Sequence, residues 1–271
     1  MDRRAFGRRQ LAIGLFCDTC ARNLDGLCRK GPVLTPIFEE VALTGSTNAD
    51  LLVRAAQGAP EGLWLRADAQ DGGRGRLGRS WESPNGNLFA STIVRLRDND
   101  PPAASLAFVT AVAVFDAVRQ IAPQVGISLK WPNDLLTRDG AKLCGILLER
   151  TSDAVIAGIG LNLVWHPQNL DRKVSDLSAL CATPPDAQTA VEIVAEAFGR
   201  YVDMWRQSSL EPIIRRWEAV AHPRGTALSA KLPDGQELHG LYAGLDSDGA
   251  LQLSLADGSI RAIHAADVFL I

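Results

Sequence analysis

From Pro36 onward the hydrophobic positions switch between two spacings, one of strands and one of helices. Residues 37–43 and 63–69 read as strands, and residues 48–57 between them as a helix, opened by the hydroxyls of Ser46 and Thr47 and stopped by Gly58 and Pro60. Residues 87–96, rich in β-branched and aromatic side chains, predict a third strand. Residues 103–122 carry almost no charge, which predicts a long helix buried on most sides. A short strand follows at 127–131, then a hairpin over 135–149 turning at Arg138-Asp139-Gly140. Residues 154–163 are apolar and glycine-containing, as expected of a strand covered on both faces at a sheet's centre. An irregular stretch, 165–185, precedes two helices at 186–207 and 210–220.

After His222-Pro223-Arg224-Gly225 the pattern changes to short β runs separated by Pro233-Asp234-Gly235, Asp246-Ser247-Asp248-Gly249 and Asp257-Gly258. That is the signature of a small all-β barrel of about fifty residues. The expected organisation is an extension over 1–35, an α/β domain over 36–222 and the barrel over 223–271.

Composition narrows the function classes. The chain has 271 residues, 46% hydrophobic and 22% charged, the profile of a globular protein with a sizeable core. Its 28 Lys and Arg against 31 Asp and Glu leave a net charge of −3, which argues against a nucleic-acid binder, DNA included. The apolar run 101–115 is short and is followed by Asp116 and Arg119, so no membrane span is expected. Five cysteines without a regular framework point to a reducing, cytoplasmic setting. Cys17 and Cys20 form a C-x-x-C with neither a second pair nor a histidine pair nearby, and no metal site is expected. Arg3, Arg4, Arg8 and Arg9 precede an apolar run at 11–17, but Asp18 ends it and no small-x-small cleavage site follows. Residues 1–33 therefore read as a poorly packed extension without a part in catalysis, too short for a winged helix-turn-helix domain.

The strongest local signal is Gly72-Gly73-Arg74-Gly75-Arg76-Leu77-Gly78-Arg79. Glycines let a backbone turn tightly and present its N–H groups to an anion, and arginines add planar forks for phosphate or carboxylate. Such a loop can fold over an anionic ligand; a mobile basic surface loop or an RNA-binding turn has the same composition. Gly45-Ser46-Thr47-Asn48 stands where a strand hands over to a helix, where hydroxyls and helix N–H groups converge, although an ordinary N-cap looks alike. Lys130-Trp131-Pro132-Asn133-Asp134 follows a strand end, Lys142-Leu143-Cys144-Gly145-Ile146-Leu147 puts a lysine at the mouth of a strand, and Gly158-Ile159-Gly160-Leu161-Asn162 ends another on a polar residue. Each segment alone is compatible with a structural role. The four histidines, at 166, 222, 239 and 264, are scattered and suggest no nucleophile arrangement.

Taken together and in this order, the segments resemble the catalytic domain of biotin–protein ligases. Ser46-Thr47-Asn48, Gln70 with the Gly73–Arg79 loop and Trp81, Lys130 to Asp134, Lys142 with Gly145-Ile146-Leu147, and 158–162 carry the resemblance, which extends from Pro36 to the C-terminus. The resemblance implies an α/β domain like that of class II aminoacyl-tRNA synthetases, followed by an SH3-like β-barrel. It implies formation of biotinyl-5′-adenylate from biotin and ATP with Mg²⁺, then transfer of biotin to one lysine of a biotin carboxyl carrier protein. It assigns Lys142, Arg74 and Arg76 to catalysis. It assigns Ser46, Thr47, Asn48, Gln70, Arg74, Gly75, Arg76, Lys142 and Gly145 to biotin, and Trp81, Lys130, Asn133 and Asn162 to the nucleotide. Leu77 departs from the family, which often has a basic residue there, and the first 33 residues match nothing in it. The competing readings are a lipoate–protein ligase-like acyl transferase on the same scaffold, a non-catalytic RNA-binding module, and a sensor that binds the adenylate without transferring it.

Overall fold

A computed structural model describes residues 34–271; the readings made for residues 1–33, with Cys17, Cys20 and Cys28, lie outside the described residues. The elements run β1 (Ile37–Thr44), α1 (Thr47–Ala56), β2 (Leu63–Gln70), β3 (Leu88–Arg95), α2 (Leu106–Ile121), β4 (Ile127–Lys130), β5 (Asp134–Thr137), β6 (Lys142–Arg150), β7 (Ala154–Leu161), α3 (Ala187–Ser208) and α4 (Glu211–Val220). The strands form one seven-stranded sheet in the order β1-β2-β3-β7-β6-β5-β4. β1 and β2 pair parallel across the α1 crossover, and the other neighbours pair antiparallel. The glycine-containing strand β7 lies between β3 and β6, covered on both faces as its composition implied.

Strand periodicity sorts the side chains into two layers. Ala154 and Ile156 of β7 pack with Leu63, Leu65 and Ile93 beneath Leu51 and Ala55 of α1. Val155, Ala157, Ile159 and Leu161 point the other way, into the main core with α2, α3 and α4. Trp64 meets Phe198 edge-on at 5.5 Å, and Phe108 meets Trp217 edge-on at 5.8 Å. The stretch Ala103–Ile121 is long and apolar enough, by length and composition alone, to cross a membrane, which the run 101–115 had not suggested. In the fold it supplies the core helix: α2 is buried along most of its length under α3 and α4.

The C-terminal elements are β8 (Ala227–Lys231), β9 (Glu237–Leu245), β10 (Leu251–Ser254), β11 (Ile260–Ile263) and β12 (Asp267–Leu270). They form an antiparallel five-stranded sheet in the order β11-β10-β9-β8-β12, the SH3-like barrel of the sequence reading. Its core residues Leu228, Tyr242, Leu251 and Val268 belong to the same buried cluster as α2 and α3. Polar contacts seal the junction: Trp131 Nε1 donates to Gly249 O at 3.1 Å, and the Glu218 carboxylate accepts from Leu245 N at 3.0 Å.

His222 sits at this junction, 7% exposed, tilted against Tyr242 at 4.6 Å and facing the Leu129 backbone. Burial disfavours the imidazolium and lowers its pKa from 6.5 to about 4, against a hydrogen bond with the Leu129 backbone that opposes the change and with Lys130 pushing the same way as burial. The unfolded chain therefore binds a proton near pH 6.5 that the fold refuses until about 4. Stability falls as pH drops through that window, by at most roughly 3 kcal/mol. His222→Phe keeps the ring contact and removes the titration. Its melting temperature should decline less between pH 6.5 and 4 than that of the parent chain; equal slopes in a calorimetric pH series would refute this account.

Candidate active site

A cleft of about 1060 Å³ opens on the α1 side of the sheet, where Asn48 and the glycines of β6 and β7 face it, and is walled by the Gly/Arg loop and by β12 of the barrel. Its floor is made by those two central strands. Gly145 pairs with Gly160, and Gly158 pairs with Leu147, so the glycines share one face. That face has no room for side chains. A Cβ on Gly160 would reach 2.7 Å from the Trp81 indole, one on Gly145 would be 3.0 Å from the same ring, and one on Gly158 would collide with the Asn48 carboxamide. The glycines thus let Trp81 and Asn48 lie directly on the sheet.

Beside the floor stands a closed polar network. Ser46 caps α1 by accepting from Ala49 N, which aims Thr47 and Asn48 at the sheet. Thr47 donates through its backbone N–H to Gln70 Oε1 at 2.8 Å, and its hydroxyl contacts Ser91 Oγ at 2.7 Å. Ser91 donates to Asn48 Oδ1 at 2.6 Å, and Asn48 Nδ2 donates to Glu149 Oε2 at 2.9 Å. Gln70 Nε2 donates to Ser83 Oγ at 3.0 Å. The sequence reading brought Ser46, Thr47, Asn48 and Gln70 together and missed Ser91 and Glu149. The available signal for Ser91 was a hydroxyl pair, Ser91-Thr92, inside the otherwise apolar run of β3.

Next to this network lies a buried charge cluster. Asp134 receives Lys142 Nζ at 2.5 Å on one oxygen and Lys130 Nζ at 3.1 Å on the other. Burial favours the neutral acid, but Lys142 and Lys130 outweigh it and hold the Asp134 carboxyl at about 2. Burial lowers the Lys142 pKa from its ordinary value while Asp134 opposes the change. Lys142 Nζ also stands 5.2 Å from the Trp81 ring centroid, a cation–π distance. Its backbone is fixed from outside the sheet: Lys142 N donates to Lys173 O at 2.9 Å, and Ser175 N donates to Lys142 O at 3.0 Å. Arg172 and Lys173 line the cleft from the irregular stretch, where two adjacent cations were the only sign of them.

The Gly/Arg loop is laid across the cleft and fastened to the barrel. Arg76 donates to Asn133 Oδ1 and to Ala266 O, each at 3.4 Å, and Arg79 pairs with Asp267 at 2.8 Å. Arg74 lies 3.6 Å from Glu149, and Gly75 N donates to Arg79 O at 2.7 Å within the loop. Leu77, at the tip, is 74% exposed and held at φ 56°, a left-handed conformation unusual for leucine. Asn133 Nδ2 donates to Ile146 O at 2.6 Å. Asn162 is not brought to the cleft wall; its Nδ2 donates to Ser175 O at 2.9 Å, behind Lys142. Trp81 lies on the glycine floor beside Lys142.

Chemically, the arrangement offers cations and hydrogen-bond donors to an anion and a polar apolar-walled slot beside them. Burial pushes the Cys144 thiol up to about 12, so it supplies no thiolate at neutral pH. Among the described residues, no three His, Cys, Asp or Glu side chains gather as a metal site.

Comparison with known proteins gives a consistent picture. Residues 42–163 match the Biotin/lipoate A/B protein ligase family, and residues 229–271 match the Biotin protein ligase C terminal domain. A biotin–[acetyl-CoA-carboxylase] ligase of Mycobacterium tuberculosis is 34% identical over 85% of this chain and 88% of its own length. The enzyme of the same name from Paracoccus denitrificans is 35% identical over 84% of this chain and 98% of its own. The fold is shared with the biotin protein ligase from Aquifex aeolicus solved with biotin and ATP, at a TM-score of 0.77, 24% identity, and coverage of 86% of this chain and 99% of that one.

The glycine floor makes a measurable demand. Gly158→Ala must displace Asn48 from its bonds to Ser91 and Glu149, an overpacking that costs about 1–3 kcal/mol. A melting temperature lowered by several degrees is expected by calorimetry, whereas Gly45→Ala, whose Cβ would come no nearer than 3.8 Å to Asp71 Oδ1, should cost far less. Equal melting of Gly158→Ala and the parent chain would mean that Asn48 is not held as described.

Proposed function

The chain belongs to the biotin–protein ligase family, and from that membership we propose that its cleft joins biotin to ATP and passes the biotinyl group to one lysine of a biotin carboxyl carrier protein. In the first step an oxygen of the biotin carboxylate attacks the α-phosphorus. The new O–P bond replaces the bond to the β-phosphate oxygen, and pyrophosphate leaves. In the second, the amine of the carrier lysine attacks the acyl carbon, an amide forms, AMP leaves and the amine gives up a proton. Neither step needs a side-chain nucleophile, because substrate groups supply both.

The observation that carries this reading is the placement of the Lys142–Asp134–Lys130 cluster at the edge of the glycine floor. Two anions must meet in the first step, and a cation pre-aimed from a buried pair stabilises their approach without reorganising. Lys142 takes the carboxylate and α-phosphate. Ser46, Thr47, Asn48 and Gln70 hydrogen-bond the ureido ring, with Ser91 bracing them. Gly145 leaves the valerate chain room against Trp81, whose position beside Lys142 suits that wall better than an adenine stack. Lys130 and Asn133 face the phosphates. Arg74, Gly75 and Arg76 close over the adenylate, and Asn162 acts from behind the wall. Mg²⁺ enters on the triphosphate of ATP, since the cluster carboxylate is already engaged by two lysines. The free thiols of Cys144 and Cys181 suit a cytoplasmic enzyme.

Mixing the protein with biotin, MgATP and a carrier domain should raise the carrier mass by one biotinyl group, and lipoate in place of biotin should not. Lys142→Ala should lower biotin-dependent pyrophosphate exchange by about 10²–10³-fold. A carrier of unchanged mass with the parent enzyme refutes the reading, and exchange at the parental rate in the variant removes the role of Lys142.

The loop contacts generate a separate expectation. Arg76→Gly removes the bonds to Asn133 and Ala266 and adds backbone freedom, so the closed loop loses its fastening. The adenylate should still form but leave faster, and bystander proteins should become biotinylated without a carrier. Mass spectrometry of a bystander at equal ATP and biotin reads this directly; unchanged labelling with an unchanged adenylate dissociation rate would show that the loop does not gate the cleft.

A further inference from the structure

The backbone of Lys142 is held by residues far along the chain, and the way they are held points to two side chains outside the cleft. Lys142 pairs with Val174 in an isolated parallel bridge, donating to Lys173 O and accepting from Ser175 N. The segment that makes this bridge is one end of the irregular stretch after β7. The other end is anchored at its start: Asn87 Oδ1 accepts from the N–H groups of Leu163, Val164 and Trp165, and Asn87 Nδ2 donates to Trp165 O. Between the anchors runs the loop that puts Asp171, Arg172 and Lys173 on the cleft wall.

The two ends of that loop meet in one short contact. His166 Nδ1 lies 2.6 Å from Asp176 Oδ2. Asp176 is 5% exposed, and its second oxygen accepts from Ser178 Oγ at 2.7 Å and Ala179 N at 2.9 Å. The carboxylate is thereby fixed by the turn that follows it, and the imidazole closes the loop upon it. Asn162 reinforces the same end through its bond to Ser175 O.

We propose that His166 and Asp176 are positioning residues for Lys142: their contact clasps the loop 166–176, seats its 173–175 segment on the Lys142 backbone and presents Arg172 and Lys173 to the nucleotide side of the cleft. The inference rests on the ligase reading for its kinetic consequence but not for its structural one. A lysine at a strand's first residue has half of its backbone unpaired within the sheet, and here the clasped loop supplies the missing partners. Loosening the clasp frees the Lys142 backbone without touching the polar network that faces biotin.

The test uses the full chain with His166→Phe, which removes the hydrogen bond, and His166→Asn, whose carboxamide N–H can stand where ring Nδ1 stood. Asp176 is left intact because it also caps the turn. In His166→Phe, amide hydrogen exchange at Lys142 and Ser175 should quicken, and the KM for ATP in pyrophosphate exchange should rise, each about tenfold, the factor corresponding to one lost charge-assisted hydrogen bond. Amide exchange at Thr47 and Asn48 should stay within about twofold, since that network keeps its own bonds. His166→Asn should restore both quantities. Unchanged amide exchange in His166→Phe overturns the clasp, and faster exchange with an unchanged ATP KM overturns the positioning role. Failure of His166→Asn to restore either quantity assigns the effect to ring packing and also overturns it. If the parent chain shows no biotin-dependent pyrophosphate exchange, the ligase reading fails instead, and the clasp is decided by amide exchange alone.

Discussion

The structure turns on a single buried carboxylate. Asp134 opens β5, and the two lysines that neutralise it come from the end of β4 and the start of β6. An isolated ion at this depth is prohibitively costly, whereas a paired one is tolerated only in good geometry. The requirement therefore locks three strand ends in register at the point where the cleft opens. It also reaches beyond the sheet, because Lys130 donates to Val268 O of the barrel at 2.9 Å. The same ammonium groups that fold this corner are the ones that face the proposed phosphates, so folding and chemistry share one electrostatic constraint.

Preorganisation elsewhere follows from that fixed point. The polar groups beside the floor satisfy one another before any ligand arrives, which removes most of the penalty of burying them and leaves their directions set. The Gly/Arg loop is fastened differently. Arg76 and Arg79 reach the barrel residues Ala266 and Asp267 while Arg74 faces Glu149 of β6, so the loop's seat over the cleft is a contact joining the two parts of the chain. A barrel that shares its apolar core with α2 cannot drift without disturbing that contact. Its role in the site is thus mechanical, through three backbone and side-chain attachments along residues 266–268.

What could be read from the sequence was what repeats or what is chemically distinctive. The strand and helix periods located each long element within three residues, and the glycine content of β7 placed it centrally. The Gly/Arg loop, the Lys130–Asp134 segment and Lys142 stood out because glycine, arginine and lysine at those spacings have few structural uses. Ser91, Glu149, Arg172 and His166 did not stand out, because their roles arise from contacts between residues distant in the chain: Ser91 reaches Asn48 and Glu149 reaches Arg74 only after the sheet has formed. Asn162 illustrates the converse. Its position at the end of a strand pointed to the cleft, but the loop that folds over it takes its carboxamide first.

Net charge carries the same lesson in electrostatic form. A chain at −3 reads as mildly acidic, an average that weighs against a polyanion-binding surface. Yet Arg74, Arg76, Arg79, Lys130, Lys142, Arg172 and Lys173 converge on one cleft, partly offset there by Asp134, Asp171 and Asp267. A local excess of positive charge within low-dielectric walls attracts a small polyanion strongly while the rest of the surface stays repulsive to extended ones. The cleft can therefore be selective for compact anions because the molecule as a whole is not basic. The carboxylates inside it serve that end too: they keep the cations separated, aimed and charged, so that a ligand replaces repulsion that the fold has already balanced instead of having to assemble the site itself.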